Sequence, residues 1–184
     1  MHTIAVDYFG RTAGTARRPD DFAFRLHVAQ TTPEQIQADV AAAAAELRRR
    51  TGVHRTYVLG FCMGGRVAFT AAAEQQAIAG VIGFYGVTRR RDEHDTAAPI
   101  DKVSRMRVPV LGLFGGGDQA IPAADTQAFE RALAERRLPH EIVTYPNAPH
   151  SFFDRSFAEW REASEDAWRR VLGFISTGEP GAVG

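Results

Sequence analysis

The chain has 184 residues, enough for one domain with a buried core, and its 22 basic and 22 acidic side chains cancel to a formal net charge of zero. That balance argues against a charge-built nucleic-acid surface, and the arginine runs at 48–50 and 89–91 read as solvated helix ends and loops. No apolar run is long enough to cross a bilayer, no basic-then-apolar leader stands at the start, and a lone cysteine cannot form an internal disulfide. The expectation is a soluble, cytoplasmic protein with neither membrane nor nucleic acid as partner.

Residues 4–9 (Ile-Ala-Val-Asp-Tyr-Phe) form a short, nearly all-apolar run that predicts a strand ending at Gly10. Residues 11–30 lack sustained periodicity and predict an irregular excursion with a short helix around 22–28. A well-punctuated helix follows. Thr32 is its N-cap, Pro33 its first residue and Gln35 the far side of a capping box, with Ile36, Val40, Ala44 and Leu47 at helical spacing and Gly52 past the end. Residues 56–59 predict a second strand that stops at Gly60, and a helix burying Val67, Ala68, Ala71 and Ala72 follows. Further strands are predicted at 78–85, at 108–114 and at 141–145. Between them lie a polar loop with a helical turn near 100–104 and a helix opened by Pro122 with Phe129 and Leu133 inward. The last helix spans about 157–175, with Phe157, Trp160, Ser164, Trp168, Val171 and Ile175 on one stripe and Gly178 as its stop.

Short apolar strands alternating with helices predict an α/β fold: a mostly parallel sheet of about five strands, with helices on both faces. In such sheets ligands bind at the carboxyl ends of the strands. Three chemically distinctive residues fall there. Cys62 sits where a strand turns sharply into a helix, in the pattern Gly60-x-Cys62-x-Gly64, and the glycines are expected to let the two backbones approach. An isolated cysteine is more often a small core hydrophobe, but a helix N-terminus stabilises a thiolate and gives chemistry a motive for sulfur at this corner. Asp118 follows Gly115-Gly116-Gly117 at the end of one strand, and His150 follows Pro146-Asn147-Ala148-Pro149 at the end of the next. A thiolate nucleophile needs a base, and the base needs an acceptor that fixes its tautomer, so Cys62, His150 and Asp118 fill the three roles of a triad. Their order along the chain, nucleophile, acid, histidine, is that of the α/β-hydrolase fold. The other five histidines lie at the terminus, before strands or in polar segments and read as surface residues.

These residues carry a wider resemblance. Gly60-Phe61-Cys62-Met63-Gly64-Gly65, Gly83-Phe84-Tyr85-Gly86-Val87, Gly115-Gly116-Gly117-Asp118-x-x-Ile121-Pro122 and His150-Ser151-Phe152-Phe153 together resemble the dienelactone hydrolase family, as does Val6-Asp7-Tyr8-Phe9-Gly10-Arg11. The resemblance covers essentially the whole chain. It implies one α/β-hydrolase domain over residues 1–178, a flexible tail over 179–184, and cleavage of a small-molecule ester or lactone with no cofactor or metal. It also implies that Met63 supplies one oxyanion-hole N–H, that Tyr85 lines the pocket, and that Arg155 and Arg25 are the candidates for gripping a substrate carboxylate. The same resemblance exposes an N-terminal truncation, because in the family several strands precede the one equivalent to residues 4–9. Either Met1 is a mis-assigned start, or the shortened chain has rearranged its sheet, with the strand at 4–9 closing the gap or a homodimer covering it. The competing function is a catalytically impaired relative that binds without turning over.

Overall fold

A computed structural model describes residues 1–181, and these divide into two compact units, the first Met1–His54 and the second beginning at Arg55. Of the tail expected at 179–184, residues 182–184 lie outside the described residues.

The first unit is helical. Its helices are α1 (Gly10–Ala13), α2 (Phe24–Val28) and α3 (Pro33–Thr51). The strand expected at residues 4–9 does not form. An apolar run becomes a strand only where another strand accepts its N–H and C=O groups, and this unit offers none. Instead Asp7 folds the segment into a turn, its side chain accepting the Phe9 N–H at 3.2 Å and its carbonyl the Gly10 N–H at 3.2 Å. Helix α3 obeys its punctuation closely. The Thr32 hydroxyl accepts the Gln35 N–H at 3.2 Å, the Gln35 side chain accepts the Thr32 N–H at 3.2 Å, and Gly52 closes the helix in the left-handed region at φ 69°. Ile36, Val40 and Ala44 are buried, whereas Leu47 is half-buried.

The second unit carries the sheet. Its elements are β1 (Tyr57–Phe61), α4 (Met63–Glu74), β2 (Gly80–Phe84), α5 (Pro99–Lys102) with a 3₁₀ turn at Val103–Arg105, β3 (Val110–Gly115), α6 (Ala123–Glu135), β4 (His140–Tyr145) and α7 (Arg161–Thr177). Among the described residues the sheet therefore has four strands rather than about five, all parallel, in the order β1-β2-β3-β4. Every residue of β2 and β3 is buried, as expected of central strands covered on both faces. The aromatic core shows how the faces are filled: Phe69 of α4 packs on Phe114 and Phe129, and Phe174 of α7 packs edge-on against Tyr57. A Cβ added at Gly83 would meet the Phe69 ring and one at Gly80 the Phe174 ring, so α4 and α7 lie on opposite faces. On α7, Ser164 and Val171 are buried as expected, but Trp168 is 38% exposed and the inward positions are instead Ala167 and Phe174.

Gly60, Gly83 and Gly112 are aligned in register across β1, β2 and β3. Gly60 and Gly83 let α4 lie close on the strands, whereas Gly112 makes room for Ile142 and Phe114; a close helix is what allows β1 to turn into α4 through a single residue.

Arg66, one turn into α4, ties the long loop after β2 to the helix. Its guanidinium donates to the carbonyls of Val87 and Arg89 at 2.9 and 2.8 Å and pairs with Asp95, both side chains being nearly buried. Burial pulls the Arg66 guanidinium below its ordinary value. Asp95 is also buried, which pushes it up, but the Arg91 N–H and Arg66 overcome that and hold it below the usual carboxylate range. Arg66→Met is expected to cost about 3 kcal/mol in urea unfolding, because it leaves the Asp95 carboxylate buried without its partner. The sign for Asp95 follows from its lowered value: its contribution is present above the unfolded carboxylate value near 4 and is lost as pH falls below it. Wild type should therefore lose stability on acidification below about pH 4, and Arg66→Met should lose less.

Candidate active site

The corner at Cys62 is built by backbone strain. Its φ of 52° and ψ of −114° lie where a non-glycine residue is costly, and the residue caps α4 while its N–H donates to the Phe84 carbonyl at 3.0 Å. Cys62 is exposed and has no disulfide partner. The glycine pattern around it needs one correction. A Cβ on Gly60 would sit 2.0 Å from the Gly64 carbonyl oxygen, and one on Gly65 would sit 2.5 Å from the Phe84 carbonyl oxygen, but one on Gly64 would meet nothing. The close approaches are thus made at Gly60 and Gly65, and Gly64 is not sterically required.

Asp118 and His150 follow the ends of β3 and β4, on the same side of the parallel sheet. The loop leaving β3 is laced to the loop leaving β4: the Gly116 N–H donates to the Tyr145 carbonyl at 2.8 Å and the Gly117 N–H to that of Ala148 at 2.9 Å. This contact requires Gly115, whose Cβ would come within 2.2 Å of the Ala148 carbonyl oxygen. Asn147 and Ser151, on either side of His150, both adopt positive φ, which presents the imidazole from a tight turn. The result is a short contact, His150 Nδ1 to Asp118 Oδ2 at 2.6 Å, with the Asp118 side chain 1% exposed and that of His150 33% exposed. A carboxylate can only accept, so Nδ1 is the donor of this bond, which fixes the orientation of the imidazole. The other Asp118 oxygen accepts the Ala120 N–H at 2.8 Å, which fixes the carboxylate's rotamer.

Tyr85 joins the two halves of this rim. It ends β2 at positive φ, is fully buried, and packs its ring against that of His150 with centroids 5.0 Å apart. Its hydroxyl donates to Asp154 Oδ1 at 3.0 Å. Burial first, then the Asp154 carboxylate, then Cys62 push that hydroxyl upward, so it stays protonated and the cysteine lies within its electrostatic reach. Met63 is the first residue of α4, where backbone N–H groups have no partner inside the helix. Arg155 stands beside Asp154 on the exposed side of this loop, whereas Arg25 belongs to α2 of the other unit. Asp154 escaped the sequence reading. Nothing local marks it, since its partner Tyr85 lies 69 residues away. A separate hollow of about 530 Å³, lined by Phe153, Phe157, Glu165, Trp168 and Arg169, holds none of these site residues.

A four-stranded parallel sheet, a strained strand-to-helix corner and a histidine–aspartate pair at the same strand ends define an α/β-hydrolase-type fold. The family model of the dienelactone hydrolase family matches residues 2–178, and the chain belongs to that family. Among curated relatives, a protein of Escherichia coli with the provisional name carboxymethylenebutenolidase is 33% identical over 148 residues, which cover 79% of this chain and 55% of the relative. One of the same provisional name from Saccharolobus solfataricus is 36% identical over 147 residues, covering 79% and 53%. The chain thus spans about half the length of the curated relatives it matches. The crystal structure of a provisionally named dienelactone hydrolase from Klebsiella pneumoniae superposes with a TM-score of 0.77 at 28% identity, covering 92% of this chain and 72% of that one. An acylaminoacyl peptidase of Pyrococcus horikoshii, 13% identical with a TM-score of 0.70 over 82% of this chain and 29% of its own, shares the fold. Among the described residues, no helix is long and apolar enough to cross a membrane.

Proposed function

We propose that this chain hydrolyses a small ester or lactone of the dienelactone type, with Cys62 as nucleophile, His150 as base and Asp118 as the group that orients it. The observation that carries this reading is the His150–Asp118 contact of 2.6 Å at the same strand ends as the strained, exposed Cys62. In the reaction the Cys62 sulfur attacks the carbonyl carbon while His150 Nε2 holds the thiol proton and then passes it to the leaving alkoxide. A water, deprotonated by the same nitrogen, cleaves the resulting thioester and releases the acid. The Met63 N–H is the oxyanion donor that the corner supplies, Tyr85 forms a wall of the pocket, and Arg155 is the basic candidate for contact with substrate within this unit. No metal or cofactor enters this scheme. A single cysteine suits a reducing, cytoplasmic setting.

The test is turnover of p-nitrophenyl acetate before and after alkylation with iodoacetamide. Saturable hydrolysis that alkylation abolishes supports the scheme, and turnover that survives alkylation removes Cys62 from it. The second reading is a family member that binds without turning over, which follows if the Met63 N–H acts without a second oxyanion donor. Lacking a second donor costs on the order of 3 kcal/mol, about a hundredfold or more in rate. Complete absence of turnover from a folded protein would select it. The outer edge of β1 has no strand partner among the described residues, and we place any homodimer contact there. Light scattering on the purified chain decides that point.

A further inference from the structure

We propose that the hydrogen bond from the Tyr85 hydroxyl to Asp154 sets the position of the His150 imidazole against the Cys62 corner, which makes Tyr85 and Asp154 positioning residues of the triad. This rests on the hydrolase reading above and adds two residues to its site. The peptide between Phe84 and Tyr85 is the fixed reference. Its carbonyl accepts the Cys62 N–H at 3.0 Å, and its N–H donates to the Leu113 carbonyl at 2.8 Å. The end of β2 is therefore pinned to the Cys62 corner on one side and to β3 on the other. From that point the fully buried Tyr85 ring passes His150, with centroids 5.0 Å apart, and packs edge-on against Phe152 at 5.7 Å. Its hydroxyl then donates to Asp154 Oδ1 at 3.0 Å, in the loop that carries His150.

That loop is a closed unit. The Ser151 carbonyl accepts the Arg155 and Ser156 N–H groups at 3.0 and 3.3 Å, and Asp154 Oδ1 accepts the Arg155 N–H at 2.9 Å. A restraint on Asp154 is therefore transmitted to Ser151, the residue next to His150, instead of being absorbed by slack chain. On its far side the loop is anchored to α7, where the buried Ser164 hydroxyl donates to the Phe152 carbonyl at 3.2 Å; the Tyr85 bond is a tie toward Cys62. Asp118 holds the imidazole at Nδ1, but a single hydrogen bond leaves a ring free to swing about it. The Tyr85 ring limits that swing, and the Asp154 bond keeps ring and loop in step. Backbone strain marks the same place. Four of the five described non-glycine residues at positive φ, namely Cys62, Tyr85, Asn147 and Ser151, stand on this rim, and such strain persists only where the surroundings over-determine it. Phenylalanine would fill the buried space at Tyr85 equally well, so what the hydroxyl contributes is the bond to Asp154.

The experiment measures kcat and KM for p-nitrophenyl acetate, the rate of Cys62 alkylation by iodoacetamide at neutral pH, and the urea midpoint. Tyr85→Phe and Asp154→Ala should each lower kcat about tenfold to a hundredfold, the scale of a reacting group misplaced by about an ångström, while KM and the urea midpoint stay near those of wild type. Asp154→Asn keeps an oxygen that can accept the phenol and should recover kcat to within about threefold of wild type. The double variant Tyr85→Phe with Asp154→Ala should be no worse than either single one. Alkylation should slow about threefold to tenfold in Tyr85→Phe and Asp154→Ala and recover in Asp154→Asn, because a misplaced imidazole takes up the thiol proton less well. Unchanged kcat and alkylation in Asp154→Ala overturn the proposal. So does a loss confined to KM, which would make the pair a substrate contact, a loss that tracks a fallen urea midpoint, which would make it a structural tie alone, or a loss that Asp154→Asn does not recover. If wild type turns over no ester, the hydrolase reading fails separately, and the alkylation rates still decide whether the bond positions His150.

Discussion

Cys62→Ala is expected to reduce hydrolysis of p-nitrophenyl acetate by about ten-thousandfold or more while the urea midpoint stays near that of wild type. The loss is large because, in the proposed scheme, alanine removes the atom that forms the covalent bond. The fold should be indifferent, since Cys62 is exposed and contributes its backbone N–H, not its sulfur, to the Phe84 carbonyl. His150→Ala should fall by a comparable factor, and the double variant should be no worse than either single one, the signature of groups that act as a unit. Cys62→Ser should lie between wild type and alanine: the hydroxyl is a weaker nucleophile at neutral pH, but it occupies the same strained position. Additive losses in the double variant would mean that the two side chains act separately.

Gly60→Ala is expected to unfold the second unit. The added Cβ meets the Gly64 carbonyl oxygen at 2.0 Å, a backbone atom of the helix that the corner itself positions, so no side-chain rotation relieves the overlap. Separating β1 from α4 also disturbs the seat of Phe69 on Gly83, and the penalty should exceed about 4 kcal/mol, a large share of a typical domain's 5–15 kcal/mol. Gly64→Ala is the control. Its Cβ meets nothing within 4 Å, and alanine is the better helix former by up to about 1 kcal/mol, so that variant should be as stable as wild type or more so. Circular dichroism during urea unfolding of the two variants separates them. Equal stability would mean that α4 can shift on the sheet.

The extent to which the sequence revealed this arrangement depended on how local each determinant is. The capping box at Thr32 and Gln35 lies within one turn of helix, and the strands β2 and β3 are apolar throughout because both faces are covered, so both were legible. The corner, the Asp118 loop and the His150 turn were legible because each needs a specific residue type at a strand end. Residues 4–9 misled because an apolar run states a preference for burial but says nothing of whether a partner strand is present. The Trp168 stripe drifted because a long amphipathic helix offers several neighbouring stripes and only the sheet selects among them. The glycine row and the Tyr85–Asp154 bond were invisible for a further reason: each joins residues from different strands or loops, and only the folded register brings them together.

Because the strands lie side by side in their order along the chain, the sheet can grow from β1 outward, each new strand pairing with the one made just before it. Cys62 directly follows β1, and His150 lies in the turn after β4. During synthesis Cys62 is therefore exposed at a helix start well before His150 exists to govern it. The loop laced between β3 and β4 is the step that ends this interval, docking His150 and Asp118 together. Any delay there, from a slow-pairing β4 or a weakened Gly115–Ala148 contact, would lengthen the time in which an unguarded thiol meets oxidants. Variants of that loop would then be lost to sulfur chemistry in the nascent chain as much as to poor stability in the finished one.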